Sequence, residues 1–138
     1  MKTCVIDASV VAAAFFREEY ADQAAALLVA GAELLAPELI YAELASVAWK
    51  RFLRHQITRD EALALRADMQ AVPLKIISIH ELIRPALELA LTSARSVYDC
   101  LYLALAIENQ CVLWTADQRL VNALAKSPVR KHLRWIGA

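Results

Sequence analysis

Glycine is scarce: the 138-residue chain has two, Gly31 and Gly137. That excludes a glycine-rich loop cradling phosphates, whose backbone must approach its ligand closely. Cysteine is sparse as well, with Cys4, Cys100 and Cys111 in apolar surroundings and none in C-x-x-C spacing. An odd number so spaced argues against a disulfide framework or a thiolate metal site, and reduced, buried thiols are expected. The histidines His55, His80 and His132 are scattered and are not expected to be ligands. Neither charge sign is in excess, with 15 basic and 15 acidic residues. A nonspecific nucleic-acid binder is usually basic, so any nucleic-acid contact here must rest on local charge. No charge-free apolar run reaches the ~18 residues of a membrane span. The opening MKTCVIDASVVAAAFF has a signal-peptide look, but Asp7 falls inside its apolar part. It reads better as a strand turning into a helix, and the expected location is cytoplasmic. Repeats, low-complexity tracts and Pro/Gly/Ser-rich linkers are missing too, so one domain over residues 1–138 is expected.

Apolar residues are what the chain has in plenty. They make up 59%, and the mean hydropathy is +0.41, against roughly 45–50% apolar in ordinary domains. A small domain this apolar leaves apolar surface to cover, so a partner or self-association is expected.

Short apolar runs at Thr3–Ile6, Glu33–Ala36, Leu74–Ile79, Cys111–Trp114 and Leu133–Ile136 predict strands. Between them, helices are predicted over Ser9–Phe16, Ala21–Ala30, Pro37–His55, Arg59–Ala71, Glu81–Ser93, Tyr98–Glu108 and Gln118–Lys126. Pro37 suits a first helical turn, and Thr58 before Arg59-Asp60-Glu61 suits a capping box. Strands alternating with helices predict an α/β fold with a mostly parallel central sheet covered on both faces. Such sheets place their sites at the carboxyl ends of the strands.

Four carboxylates stand out. Asp7 ends the strand TCVI and Asp117 ends the strand CVLWT, each before a helix. Both fit a helix N-cap. Asp99 opens the helix of VYDCLYLALAIE, and Ser96-Val97-Tyr98-Asp99 matches a capping box. A carboxylate in a first turn is favoured by ~0.3–1 kcal/mol. Yet this helix is apolar all round and should be buried, so its mouth should open into a cleft. Glu43 shares a helical stripe with Leu39, Ile40, Leu44 and Val47. A glutamate there is costly unless paired or ligated, and no Lys or Arg lies between Pro37 and Trp49. The ordinary reading is a glutamate at the stripe's margin, reaching solvent.

Together the four mean more than any one. Two like charges ~4 Å apart repel by ~4 kcal/mol at an effective dielectric near 20. If they converge, either some are protonated or a cation holds them. Hard oxygen ligands without histidine or thiolate suit Mg2+ or Mn2+ rather than Zn2+. Ser9 and Thr115, each two residues from an aspartate, are placed to steady the carboxylates. An acidic pocket with such an ion suits phosphodiester chemistry.

The ordered set VIDASV, YAEL, SVYDCLYLALA and LWTADQRL resembles the PIN-domain nucleases, and within them the VapC-type toxins of bacterial toxin–antitoxin pairs. The resemblance spans almost the whole chain. It implies a compact three-layer α/β/α domain and a Mg2+- or Mn2+-dependent endoribonuclease. It implies an acidic quartet at Asp7, Glu43, Asp99 and Asp117, with Ser9 and Thr115 matching the small polar residues of the first and last motifs. It also implies an RNA substrate, a homodimer and a small antitoxin that blocks the acidic groove. Cys100 stands where alanine is frequent. For substrate, Arg119 is the best-placed cation. Lys50, Arg51 and Arg54, or Arg130, Lys131 and Arg134, also suit RNA phosphates, although a solvated helix face and tail is the preferred reading. Trp49, Trp114 and Trp135 are expected in the core rather than as stacking platforms.

Three rivals remain. A phosphohydrolase with an aspartyl nucleophile would want D-x-D, and the chain has Asp7-Ala8-Ser9. A phosphoacceptor signalling domain would want paired acids, and KIISIHE supplies only Glu81. A catalytically silent binding module on the same fold is disfavoured by the intact quartet.

Overall fold

The structure is a computed structural model and describes residues 2–138. Five short strands form one sheet: β1 (Thr3–Ile6), β2 (Glu33–Pro37), β3 (Leu74–Ile77), β4 (Val112–Thr115) and β5 (Leu133–Trp135). Their order is β3-β2-β1-β4-β5, and every pairing is parallel. Parallel neighbours need long crossovers. These are α1 (Ala8–Phe15), α2 (Ala21–Leu28), α3 (Leu39–Leu53), α4 (Arg59–Gln70), α5 (Ile79–Ser93), α6 (Val97–Glu108) and α7 (Gln118–Ala123). A 3-10 turn over Pro128–His132 precedes β5. The predicted α/β fold is found, with a sheet that is parallel throughout.

Right-handed crossovers fix the layers. From β1 through β2 to β3 the chain moves one way, so α1 to α4 cover one face. It then returns past β1 to β4, so α5 and α6 cover the other. Accordingly α1 packs on α2, α3 and β4, while α6 lies across β2, β1 and β4 and against α5. The three-layer α/β/α arrangement follows. The apolar α6 sits where its composition requires, with Cys100 through Ala106 all buried. Each fully buried leucine there, Leu103 and Leu105, contributes about 1.5–3 kcal/mol. No helix among the described residues is long and apolar enough to cross a membrane.

The boundaries differ from expectation in instructive places. Pro37 does not open α3; it ends β2 opposite Ile77. A proline is tolerated at a strand's end, and the next amide, Glu38 N, continues the ladder to Ile77 O at 2.9 Å. The strand KIISI stops at Ile77 because Ser78 caps α5, its hydroxyl accepting from His80 N at 3.2 Å. Helix α7 ends at Ala123, short of the predicted Lys126. Thr58 and Glu61 do form the capping box of α4. With glycine so scarce, helix ends are turned by other residues: Ala94 (φ 61) closes α5 in the left-handed region, and His55 and Gln110 follow α3 and α6 likewise.

Candidate active site

Between β1 and β4 the chain leaves the sheet in opposite directions. Such a switch point opens a crevice past the carboxyl ends of the two strands. Asp7 follows β1 directly, and Asp117 lies two residues beyond β4. Both are helix N-caps, as the ordinary reading has it. Asp7 Oδ1 accepts from Ser9 N at 3.0 Å and Val10 N at 3.4 Å. Asp117 Oδ1 accepts from Arg119 N at 3.0 Å. The capping bonds fall on Oδ1 in both cases, so the second oxygen of each carboxylate is uncommitted to the helix. Capping and a place in the cavity are compatible.

Ser9 and Thr115 tie the two strand ends together. The Ser9 hydroxyl bonds to Asp7 Oδ1 and accepts from Ala116 N at 2.9 Å. It also lies 3.3 Å from Thr115 Oγ1, which accepts from Asp117 N at 3.0 Å. Thr115 is wholly buried, the one buried polar residue among those described. These bonds fix the spacing of Asp7 and Asp117 across the switch point.

Helices α6 and α3 bring the other two carboxylates. Ser96 caps α6, accepting from Asp99 N at 3.1 Å. The Asp99 carboxylate does not complete the predicted box; its Oδ2 takes an Arg95 guanidinium nitrogen at 3.2 Å. Glu43 is half-buried, between buried Ile40 and Leu44 on α3. Its stripe faces inward as predicted, and the Tyr102 hydroxyl of α6 donates to Glu43 Oε1.

Asp7, Ser9, Glu43, Asp99, Tyr102 and Asp117 line one cavity of about 150 Å³. Four carboxylates distant in sequence therefore converge. Burial pushes the Asp7 carboxyl up to about 6, against the pull of its bonds to Ser9, Thr115 and Val10, and the Glu43 charge adds to the rise. Burial also raises Glu43, opposed by the Tyr102 bond and reinforced by the Asp99 charge. The negative charge of this inner pair is thus poorly compensated by the protein. Among the described residues, no three His, Cys, Asp or Glu side chains are gathered closely enough to hold an ion. A cation would have to draw the carboxylates inward, at Asp99 and Asp117 against their arginine partners. The all-oxygen donor set and the uncompensated charge fit a hard divalent ion.

Two residues at the site were not singled out in the sequence. Tyr102 is three positions past Asp99 and puts a hydroxyl inside the apolar run Cys100–Ala106, which is a legible signal. Arg95 lies just before the cap and carries no such mark. Of the remaining predicted residues, Arg119 is fully exposed, its Nε 3.6 Å from Asp117 Oδ1. Arg51 is held by Glu18 and stacks 4.8 Å over the Phe16 ring. Arg130 and Arg134 bond to Leu133 O at 2.6 and 3.2 Å. His132 Nδ1 meets Cys111 O at 2.9 Å, outside the cavity. Trp49 corrects the core expectation: it is exposed, lining a groove between α3 and α4. Trp135 packs edge-on against Tyr20. The three cysteines are free thiols, and Cys111 is only half-buried.

The PIN domain family model matches residues 4–126. The chain belongs to the PIN-domain family. It is 34% identical over 118 residues to Ribonuclease VapC3 of Pyrobaculum aerophilum, covering 84% of this chain and 90% of that protein. This relationship puts the chain with the VapC-type members and makes it a homologue of a ribonuclease. Solved structures share the fold. A toxin–antitoxin complex from Klebsiella pneumoniae superposes with a TM-score of 0.64 at 18% identity, covering 96% of both chains. The protein PAE2754 of Pyrobaculum aerophilum does so with a TM-score of 0.62 at 20% identity, covering 88% of this chain and 79% of that one. At those identities the likeness is one of fold.

Proposed function

We propose that this PIN domain is a Mg2+- or Mn2+-dependent endoribonuclease, the cytoplasmic toxin of a toxin–antitoxin pair. The observation that carries the reading is the meeting of Asp7, Glu43, Asp99 and Asp117 in one cavity at the switch point. The relationship to Ribonuclease VapC3 supplies the substrate class, RNA.

In this reading the four carboxylates hold the cation. A bound Mg2+ or Mn2+ supplies Lewis acidity at the phosphodiester and a lowered pKa for water. The chain's own part is to orient the attacking water and to accept its proton on a carboxylate oxygen. Ser9 and Thr115 keep Asp7 and Asp117 at a fixed separation while this happens. Arg119, exposed at the rim, meets a substrate phosphate.

Exposed apolar surface supports the proposed partners. The α3–α4 groove, lined by Trp49, Phe52, Leu63 and Met69, is concave and suits an apolar segment of an antitoxin. Ile83, Leu87 and Leu91 form an exposed stripe on α5 that suits a second copy of the chain. One observation favours a second reading, a catalytically silent module: Asp99 and Asp117 already face arginines.

The deciding experiment is cleavage of mixed tRNA and rRNA by purified, antitoxin-free protein with Mg2+ or Mn2+. Chelator and Asp99→Asn, purified identically, are the controls. Discrete metal-dependent cuts, lost in Asp99→Asn, are expected. Equal cutting by the variant would indicate a contaminant and remove Asp99 from the site. RNA binding with no cutting would favour the silent module.

A further inference from the structure

The inner carboxylates and the outer ones are held by different chemistry, and Tyr102 is the centre of the inner arrangement. It is 4% exposed, yet its hydroxyl reaches the cavity. That hydroxyl donates to Glu43 Oε1, from a helix on the opposite face of the sheet and 59 positions along the chain. Its phenolic oxygen lies near the Ala8 amide at the start of α1 and within the field of Asp7. One hydroxyl therefore touches the segments that carry Asp7 and Glu43, on the helix that carries Asp99.

Glu43 needs such a partner. It stands mid-helix on a largely apolar stripe, and no basic residue bonds to it among the described residues. A glutamate has three side-chain torsions, and without a fixed donor its head group turns toward solvent. The kind of donor matters. A guanidinium on Glu43 would neutralise it and compete with any cation. A neutral hydroxyl fixes one oxygen and leaves the negative charge in place. We propose that Tyr102 is a positioning residue for cation binding: it pins Glu43 Oε1 so that the other oxygen stays in the cavity with Asp7 and Asp99. The inference rests on the metal-dependent reading above and extends it to a residue outside the acidic quartet.

The test is Mn2+ titration by calorimetry on wild type, Tyr102→Phe, Glu43→Gln and the double variant, with RNA cleavage in parallel. Tyr102→Phe keeps the ring in the core and removes only the hydroxyl. Groups that orient metal ligands typically carry about 10–100-fold in metal affinity, so Tyr102→Phe should weaken Mn2+ binding by at least about 10-fold. In the Glu43→Gln background the same change should do nothing further, because the partner is gone. Unchanged Mn2+ affinity in Tyr102→Phe, or a full additional loss in the double variant, would overturn the positioning role while leaving the nuclease reading intact. Wild type that binds no Mn2+ and cuts no RNA would overturn both. Should Tyr102→Phe fail to fold, tyrosine labelled with 13C at Cζ gives a second measurement on intact protein. The buried Tyr102 resonance should shift on adding Mg2+ in wild type and stay put in Glu43→Gln; a resonance indifferent to Mg2+ in Mg2+-binding wild type would overturn the role.

Discussion

The cavity has an inner and an outer pair of carboxylates, and the sequence gives all four the same letter class. Among the described residues, Asp7 and Glu43 are held only by neutral donors: backbone amides, Ser9 and Thr115 on one, Tyr102 on the other. Asp99 and Asp117 face guanidiniums, Arg95 at 3.2 Å and Arg119 at 3.6 Å, and their side chains are 35% and 43% exposed. Burial raises both inner groups, with a further rise at Asp7 from the Glu43 charge and at Glu43 from the Asp99 charge. The difference teaches a division of labour. The inner pair stores uncompensated charge, which is an attraction for a cation and a cost to the fold. The outer pair is neutralised locally by side chains that solvent can take over when something else arrives.

The largest effect should come from removing stored charge. Asp7→Asn keeps the helix cap, since asparagine caps as well as aspartate. It should lower Mn2+ affinity and RNA cleavage by more than about 100-fold, beyond the usual effect of a group that only orients a ligand. Stability should move the other way. A carboxyl whose folded pKa lies above its unfolded value holds more protons folded than unfolded. Its favourable contribution is present below an ordinary value of 3.8 and is lost as pH rises to about 6. Above that range the ionised Asp7 costs the metal-free fold at most about 3 kcal/mol. Thermal unfolding in chelator from pH 4 to 8 checks this. Wild type should lose midpoint between pH 4 and 6, and Asp7→Asn should be flatter and several degrees more stable at pH 7. Parallel pH profiles for the two proteins would mean that Asp7 stores no charge.

How much of this was legible before the structure follows from the range of each interaction. Strand–helix alternation and the unbroken apolar run of α6 are local patterns, and the parallel sheet and the burial of Cys100–Ala106 follow them. Carboxylates just past strand ends mark a site because strand ends are readable and the switch point gathers them. Pairings across the fold are different. Tyr102 meets Glu43 only because α6 and α3 converge over the carboxyl edge of the sheet, and nothing local records it. The Ser96 box was half right because a nearby cation, Arg95, outcompetes a backbone amide for the Asp99 carboxylate. Trp49 departs from the core expectation because residue type alone does not reveal whether a second helix covers a side chain; α4 leaves a groove there. Pro37 was misplaced because a proline suits both a first helical turn and the end of a strand.

A smaller effect should separate the outer pair from the inner one. Arg95 and Asp99 are each about one-third exposed, so the pair stabilises the fold by less than about 1 kcal/mol. For a cation, however, Arg95 is a competitor at Asp99. Arg95→Ala should leave the unfolding midpoint nearly unchanged and tighten Mn2+ binding by about 3–10-fold, equivalent to at most about 1.4 kcal/mol. Opposite signs for Arg95→Ala and Tyr102→Phe in one titration would be the sharpest form of the comparison. Weaker Mn2+ binding in Arg95→Ala would break it, by showing that Arg95 helps to shape the site rather than to shield it.

The smallest expected effect is at Arg119. Its side chain is 96% exposed and 3.6 Å from Asp117, too far for a hydrogen bond, so Arg119→Ala should not move the unfolding midpoint. Its value as a substrate contact shows instead in salt dependence. One phosphate contact on single-stranded RNA contributes about 0.7 to the slope of log affinity against log salt. RNA binding measured in chelator, where cutting is blocked, should therefore lose about that much slope in Arg119→Ala. An unchanged slope would move the phosphate contacts to other cations. Arg51 is committed to Glu18 and Phe16, and Arg130 and Arg134 to the Leu133 carbonyl. That would leave the exposed Lys50 and Arg54 at the end of α3 and Lys131 before β5 as the cations to substitute next.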